Sequence, residues 1–145
     1  MTKSAPILVA DDEKNDIFFL RRAFQKAGLN ALIIGVPDGE EAEKYLAGED
    51  SFGDRSQFPI PHLLVLDIKM PKRDGFDVLK WLQGRDEYKD LTVVILSSSS
   101  QDSDIRKARE LGARDYFVKP SDFDQLTQLV QTIAQRWLNS AVAQA

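Results

Sequence analysis

Four short apolar runs in this chain each lead into residues that can do chemistry. "PILVA" (Pro6–Ala10) runs into Asp11 and Asp12, "HLLVL" into Asp67, "LTVVIL" into Ser97, and "DYFV" into Lys119-Pro120. Any one of these is ordinary. An acid after an apolar run is mostly a cap or turn residue, a serine often is too, and Lys-Pro before a helix is common punctuation. The set is less ordinary, because three carboxylates, a hydroxyl and an ammonium are the parts of a phosphoryl transfer to a carboxylate. A carboxylate can act as nucleophile and form an acyl phosphate. The transferred group spreads charge over its oxygens, which a cation and a lysine neutralise. A short hydroxyl can hydrogen-bond one of those oxygens. Converging carboxylates cost roughly 4 kcal/mol per pair at about 4 Å and an effective dielectric near 20. A divalent cation offsets that cost, and all-oxygen ligands favour a hard ion, Mg²⁺ or Mn²⁺.

Convergence depends on the elements that carry these residues. Between the apolar runs lie longer segments of helical period. "KNDIFFLRRAFQKAGL" places Ile17, Leu20, Phe24 and Ala27 on one face and stops at Gly28. "ALIIGV" (Ala31–Val36) is a second strand, followed by the helix "GEEAEKYLAG". After "HLLVL" comes "FDVLKWLQG", with Asp74 as its cap, and after "LTVVIL" comes "DSDIRKARELG", with Ile105, Ala108 and Leu111 inward. "SDFDQLTQLVQTIAQRWL" is expected to be the longest helix, with a stripe of Leu126, Leu129, Val130, Ile133 and Trp137 and a capping box at Ser121 and Asp124. The alternation predicts an α/β fold: one doubly wound, five-stranded parallel sheet with helices on both faces. Continuous apolar strands fit burial on both sides. In the order 2-1-3-4-5 the first and third strands are neighbours, so Asp11, Asp12 and Asp67 meet where such sheets bind their ligands, outside the carboxyl ends of the strands.

Composition narrows the remaining classes. The 145 residues are 43% hydrophobic and 29% charged, with a net charge of -4, which fits one globular domain and argues against a nucleic-acid surface. There is no cysteine and a single histidine, His62. A disulfide framework, a thiolate nucleophile and a zinc site built on sulfur are excluded, as is a multi-histidine metal site. "MTKSAPILVADD" is too short in its apolar part for a signal peptide, and no run approaches the roughly 20 apolar residues of a membrane span. The expected location is the cytoplasm, with no membrane partner. The connection "GEDSFGDRSQFPIP" (Gly48–Pro61) is expected to be an exposed loop, and the tail "NSAVAQA" to be frayed. A phosphate-binding glycine loop is absent, which leaves nucleotide binding unsupported.

Taken together, "DD" at Asp11-Asp12, "LD" at Asp67 with "MP" and "DG" following, Ser97 after "VVIL" and "KP" at Lys119-Pro120 closely resemble the receiver domain of two-component response regulators. The resemblance implies a flavodoxin-like (βα)5 receiver over residues 1–145, with a core of about 5–138 and no output domain. It implies phosphoryl transfer from a sensor histidine kinase or a phosphotransfer protein to Asp67, with catalysis limited to the protein's own phosphorylation and dephosphorylation. Carried over residue by residue, Asp12 and Asp67 bind Mg²⁺ directly, Asp11 binds it through water, and the backbone carbonyl of Lys69 completes the protein ligands. Lys119 contacts the phosphoryl group, and in the family the bond after this lysine is often cis. Ser97 moves toward the phosphoryl group and Tyr116, the aromatic switch residue, turns inward with it. Lys69 and Ser99 occupy positions that tune the acyl-phosphate lifetime. The loop length and general texture resemble stand-alone regulators that pair with phytochrome kinases.

Other features weigh less. Phe18 points away from the core of the first helix; it is either a lone exposed apolar residue or, by the same resemblance, a docking contact for the phosphodonor. Trp137 is expected to close the core or cover the last turn. Arg106, Arg109, Arg114 and Asp115 are placed on the face of the fourth helix, fifth strand and fifth helix, the family's usual dimer surface, where a solvated charged face is an equal reading. Two other functions are weighed against a phospho-accepting regulator. One is a degenerate receiver that binds partners without phosphorylation, against which every site residue of the family is present. The other is an aspartyl phosphatase of the haloacid dehalogenase type, which needs a second Asp two residues after the nucleophile, where this chain has Lys69.

Overall fold

Five apolar runs pair side by side in the computed structural model, which describes residues 6–138. The strands are β1 (Ile7–Ala10), β2 (Ile33–Val36), β3 (Leu63–Leu66), β4 (Thr92–Ser97) and β5 (Asp115–Val118). Between and after them lie the helices α1 (Lys14–Lys26), α2 (Gly39–Ala47), α3 (Gly75–Leu82), α4 (Asp102–Glu110) and α5 (Phe123–Ile133). All neighbouring strands are parallel, as the alternation of runs and helical segments predicts, and their order is β2-β1-β3-β4-β5, the order expected of the family the sequence resembles.

The period of two along each strand splits the core in two. Leu8, Ala10, Leu64, Leu66 and Ile95 pack on one face with Ala42, Tyr45, Val78, Leu79 and Ala108 from α2, α3 and α4. Ile7, Val9, Leu63, Val65, Val94 and Leu96 face the other way, onto Ile17, Leu20 and Phe24 of α1 and Val130 and Ile133 of α5. Both faces are therefore covered, which is why the strands read as unbroken apolar runs.

Helix starts follow local chemistry. Asp74 accepts from Asp77 N at 2.8 Å while Asp77 accepts from Asp74 N at 3.0 Å, a reciprocal cap on α3. Asp38 caps α2 in the same one-sided way that Asp122 caps α5, each accepting a backbone N–H at 2.8 Å. The box expected at Ser121 and Asp124 does not form; a one-sided cap lies one residue later. Asp122 is the residue with extended backbone before the helix, and its carboxylate meets Gln125 N. The last helix, α5, changes character before its end. Its regular part has 11 residues against 13 for α1, but Ala134–Leu138 continues it without a break as a π-type turn, so the last helical segment as a whole is the longer, as expected. Pro6 stays outside β1, and Ile7 makes the first pairing; proline has no N–H to give a ladder. On α4 only Ala108 is fully buried, with Ile105 and Leu111 half-buried. The tail segment 139–145 lies outside the described residues.

Candidate functional site

The register of β1 against β3 decides the site. Ala10 pairs with Leu66, so Asp11 and Asp67 leave adjacent strand ends together, with Asp67 N donating to Ala10 O at 3.0 Å. Asp11 and Asp67 are buried and Asp12 is exposed. One carboxylate oxygen from each of the three lies within 4.8 Å of the others. Local backbone orients the two buried acids: Asp11 Oδ1 accepts from Glu13 N at 2.9 Å, and Asp67 Oδ1 from Ile68 N at 2.7 Å. Their Oδ2 atoms remain free to face the site.

Lys119 fills that position. Its Nζ lies 2.9 Å from Asp67 Oδ2, 2.9 Å from Asp11 Oδ2 and 2.8 Å from Asp16 Oδ2. The residue is carried there by β5, whose pairing with β4 continues as Lys119 N donating to Ser97 O at 2.8 Å. Burial opposes the ammonium's charge, but the hydrogen bonds it donates to the three carboxylates outweigh that and raise its pKa above the ordinary lysine range. Burial also pushes the Asp11 carboxyl up to about 6, offset in part by the Glu13 N–H and by Lys119. Two buried carboxylates and an exposed one, with only oxygen to offer, fit a hard divalent cation.

Ser97 is fully buried at the end of β4. Its hydroxyl accepts from Ser99 N at 3.3 Å, and the Ser99 hydroxyl donates to Asp104 at 2.6 Å. Tyr116 donates its hydroxyl to Ser99 O at 2.8 Å. The serine and the tyrosine singled out in sequence thus meet on one short loop. Lys69 is exposed, beside Asp12, Met70 and Asp74. A Cβ at Gly75 would overlap the Asp67 carbonyl, which explains the "DG" after Asp67: only glycine lets the start of α3 approach the strand end so closely. Phe18 stands 50% exposed on α1, as its helical position predicts.

Two expectations change. The Lys119-Pro120 bond is trans, since no peptide bond among the described residues is cis. Asp115 is no surface charge; it is buried, and its carboxylate accepts from Arg136 at 2.6 Å and from Trp137 Nε1 at 3.3 Å. Arg106, Arg109 and Arg114 are exposed as expected. Asp16 is the site residue that sequence reasoning passes over. In sequence it is only an acid in the first turn of a helix, a position that the helix dipole already explains. With Lys119, Asp11 and Asp67 it lines a cleft of about 350 Å³ that also includes Phe19 and Phe123.

Comparison with known proteins agrees with this geometry. A family model described as response regulator receiver domain matches residues 7–131. The probable methanogenesis regulatory protein FilR2 of Methanothrix harundinacea is 32% identical over 132 residues, covering 91% of this chain and 83% of that protein. The crystal structure of the phosphorylated cyanobacterial phytochrome response regulator RcpA superposes with a TM-score of 0.86 at 30% identity, covering 95% of this chain and 96% of that one. The Mn²⁺-bound form of response regulator Rcp1, a protein of Synechocystis sp., gives 0.81 at 28% identity, covering 92% and 94%.

Proposed function

The chain belongs to the response regulator receiver domain family, and from that premise we propose that Asp67 is its phosphoacceptor. The protein is a phospho-accepting regulator of two-component signalling. The observation that carries the assignment is Lys119, whose Nζ lies 2.9 Å from both Asp67 Oδ2 and Asp11 Oδ2. An ammonium there stands where negative charge accumulates on a phosphoryl group arriving at Asp67. Asp67 Oδ1 accepts from the adjoining Ile68 N, and Oδ2, the oxygen turned to Lys119 and the cleft, is the attacking atom.

Receiver domains bind a divalent metal, and we assign Mg²⁺ to Asp12 and Asp67 directly, Asp11 through water, and the carbonyl of Lys69. When bound, the cation neutralises charge on the phosphoryl oxygens. Lys119 pairs with a phosphoryl oxygen, and Ser97 gives up its contact with Ser99 N to donate its hydroxyl to another. Tyr116, held to the same loop through Ser99 O, follows it inward, so that the new charge biases a two-state loop. Catalysis is confined to the protein's own phosphorylation and dephosphorylation. The phosphodonor is a sensor histidine kinase or a phosphotransfer protein, and the likeness to RcpA, by its description a phytochrome response regulator, favours a phytochrome kinase. Phe18 on α1 contributes to that docking, and a second copy binds through the face of α4, β5 and α5. Residues 1–145 act as a single receiver in the cytoplasm, and no helix among the described residues is long and apolar enough to cross a membrane.

Incubation with Mg²⁺ and acetyl phosphate tests the assignment. One acid-stable, base-labile phosphoryl group per chain is expected, and none on Asp67→Asn. Continuous turnover of an aryl phosphate would speak for a phosphatase, and no labelling by any donor for a degenerate receiver; either result would sink the proposal.

A further inference from the structure

Lys119 holds one carboxylate more than the proposed transfer requires. Asp16 Oδ2 lies 2.8 Å from its Nζ, yet Asp16 is not one of the acids placed to share a cation, which are Asp11, Asp12 and Asp67. Its side chain is 42% exposed, against 7% for Asp11 and 7% for Asp67. Among the described residues, its only side-chain hydrogen bond is the one to Lys119. An acid in the first turn of a helix usually serves the helix dipole. This one is instead turned across the cleft to a residue 103 positions away, and it lines that cleft together with Asp67.

We propose that Asp16 is a specificity-determining residue, held by Lys119 in the wall of the cleft, where it discriminates against doubly charged small phosphodonors. The inference rests on Asp67 being the phosphoacceptor. Asp11, Asp16 and Asp67 surround one ammonium, and Asp12 shares the acidic cluster with Asp11 and Asp67, so four carboxylates against one lysine and a bound divalent cation still leave the site with a net negative charge. A donor entering the cleft meets that charge before its phosphoryl group reaches Asp67. Repulsion grows with the donor's own charge. Free acyl phosphates are therefore disfavoured, whereas a protein donor draws on docking contacts elsewhere.

Two donors of different charge separate the filter from a general effect. Acetyl phosphate is a dianion. The Asp67 carboxylate attacks its phosphorus, the P–O bond to the acyl group breaks, and acetate leaves with the electron pair. Phosphoramidate carries a net single negative charge near neutral pH; the same attack breaks its P–N bond and releases ammonia. Second-order labelling rates are measured on the full chain with saturating Mg²⁺ at low ionic strength. Asp16→Asn is expected to accelerate acetyl phosphate about tenfold and phosphoramidate about threefold, because the logarithm of the effect scales with donor charge. Added salt should shrink both gains. Asp16→Ser should behave like Asp16→Asn, and Asp16→Glu should keep the wild-type ratio between donors. Equal acceleration of the two donors, or no acceleration, overturns the filter while leaving Asp67 as acceptor. Failure of both donors to label wild type and Asp16→Asn overturns the filter, and no labelling by a protein donor as well overturns Asp67 as acceptor.

Discussion

Lys119 is the residue on which the site's charge balance turns. It is 19% exposed and is the ammonium between two carboxylates that are each 7% exposed. Removing one partner of a buried ion group leaves the other charges uncompensated, at a cost of about 3 kcal/mol. Lys119→Met should therefore lower the stability of the protein by about that amount when measured in chelator. A divalent cation supplies the missing positive charge, so the loss should be much smaller in millimolar Mg²⁺. Urea unfolding of wild type and variant, with and without the metal, checks this. The same loss in both media would mean that the cation does not sit among these acids. The same substitution separates stability from signalling: labelling of Asp67 without the spectral change seen in wild type is the expected behaviour of a site whose lysine reads the phosphoryl group.

At the scale of elements, the connection between α2 and β3 departs most from its expected form. Gly48–Pro61 reads as an open, polar loop, yet it folds back on the helix that precedes it. Phe52 and Phe58 pack their rings against Tyr45, with centroids 5.1 and 6.0 Å away. Arg55 donates to the carbonyls of Tyr45 and Leu46 at 2.9 Å each, satisfying the last turn of α2. Tyr45 is fully buried and donates its hydroxyl to Pro59 O at 2.8 Å. Strand and helix periods do not carry such bonds, because a side chain reaching a carbonyl 14 residues away has no periodic signature. Burial pushes the Tyr45 hydroxyl from 10.0 up to about 12. The sign follows from linkage: the unfolded chain releases this proton from about pH 10 and the folded chain holds it to about 12, so the contribution to stability is complete below 10 and is lost as pH rises to 12. Wild type should therefore lose stability over that window more steeply than Tyr45→Phe. At pH 7 the variant should be less stable by about 1 kcal/mol, the cost of one buried hydrogen bond. Parallel unfolding curves for the two proteins from pH 9 to 12 would refute the burial argument.

Over the whole molecule, legibility followed the backbone. Strand-borne residues were readable because a parallel sheet delivers the ends of its strands to one edge: Asp11, Asp67, Ser97 and Lys119 needed only the strand order to be placed together. Asp16 and Asp115 were not readable, because each depends on a side chain crossing between elements distant in sequence. Asp115 begins β5, one residue before Tyr116, and its carboxylate accepts from Tyr116 N at 3.0 Å. It also binds Arg136 and Trp137 of the π-type turn that ends the described chain. The end of the last helix is thereby fastened to the outer strand of the sheet, next to the residue assigned to the switch. Because Arg136 is largely exposed, with 55% of its side chain accessible, its ion pair is screened and contributes little. The buried carboxylate matters more. Asp115→Ala strands the Trp137 Nε1–H and the Tyr116 N–H together, whereas Arg136→Gln leaves both bonded. The expected losses are about 2 kcal/mol for Asp115→Ala and under about 1 kcal/mol for Arg136→Gln. Urea midpoints give the ranking, and hydrogen exchange over residues 134–138 should rise sharply only in Asp115→Ala. Equal losses would show that the ion pair, rather than the buried carboxylate, closes the chain onto the sheet.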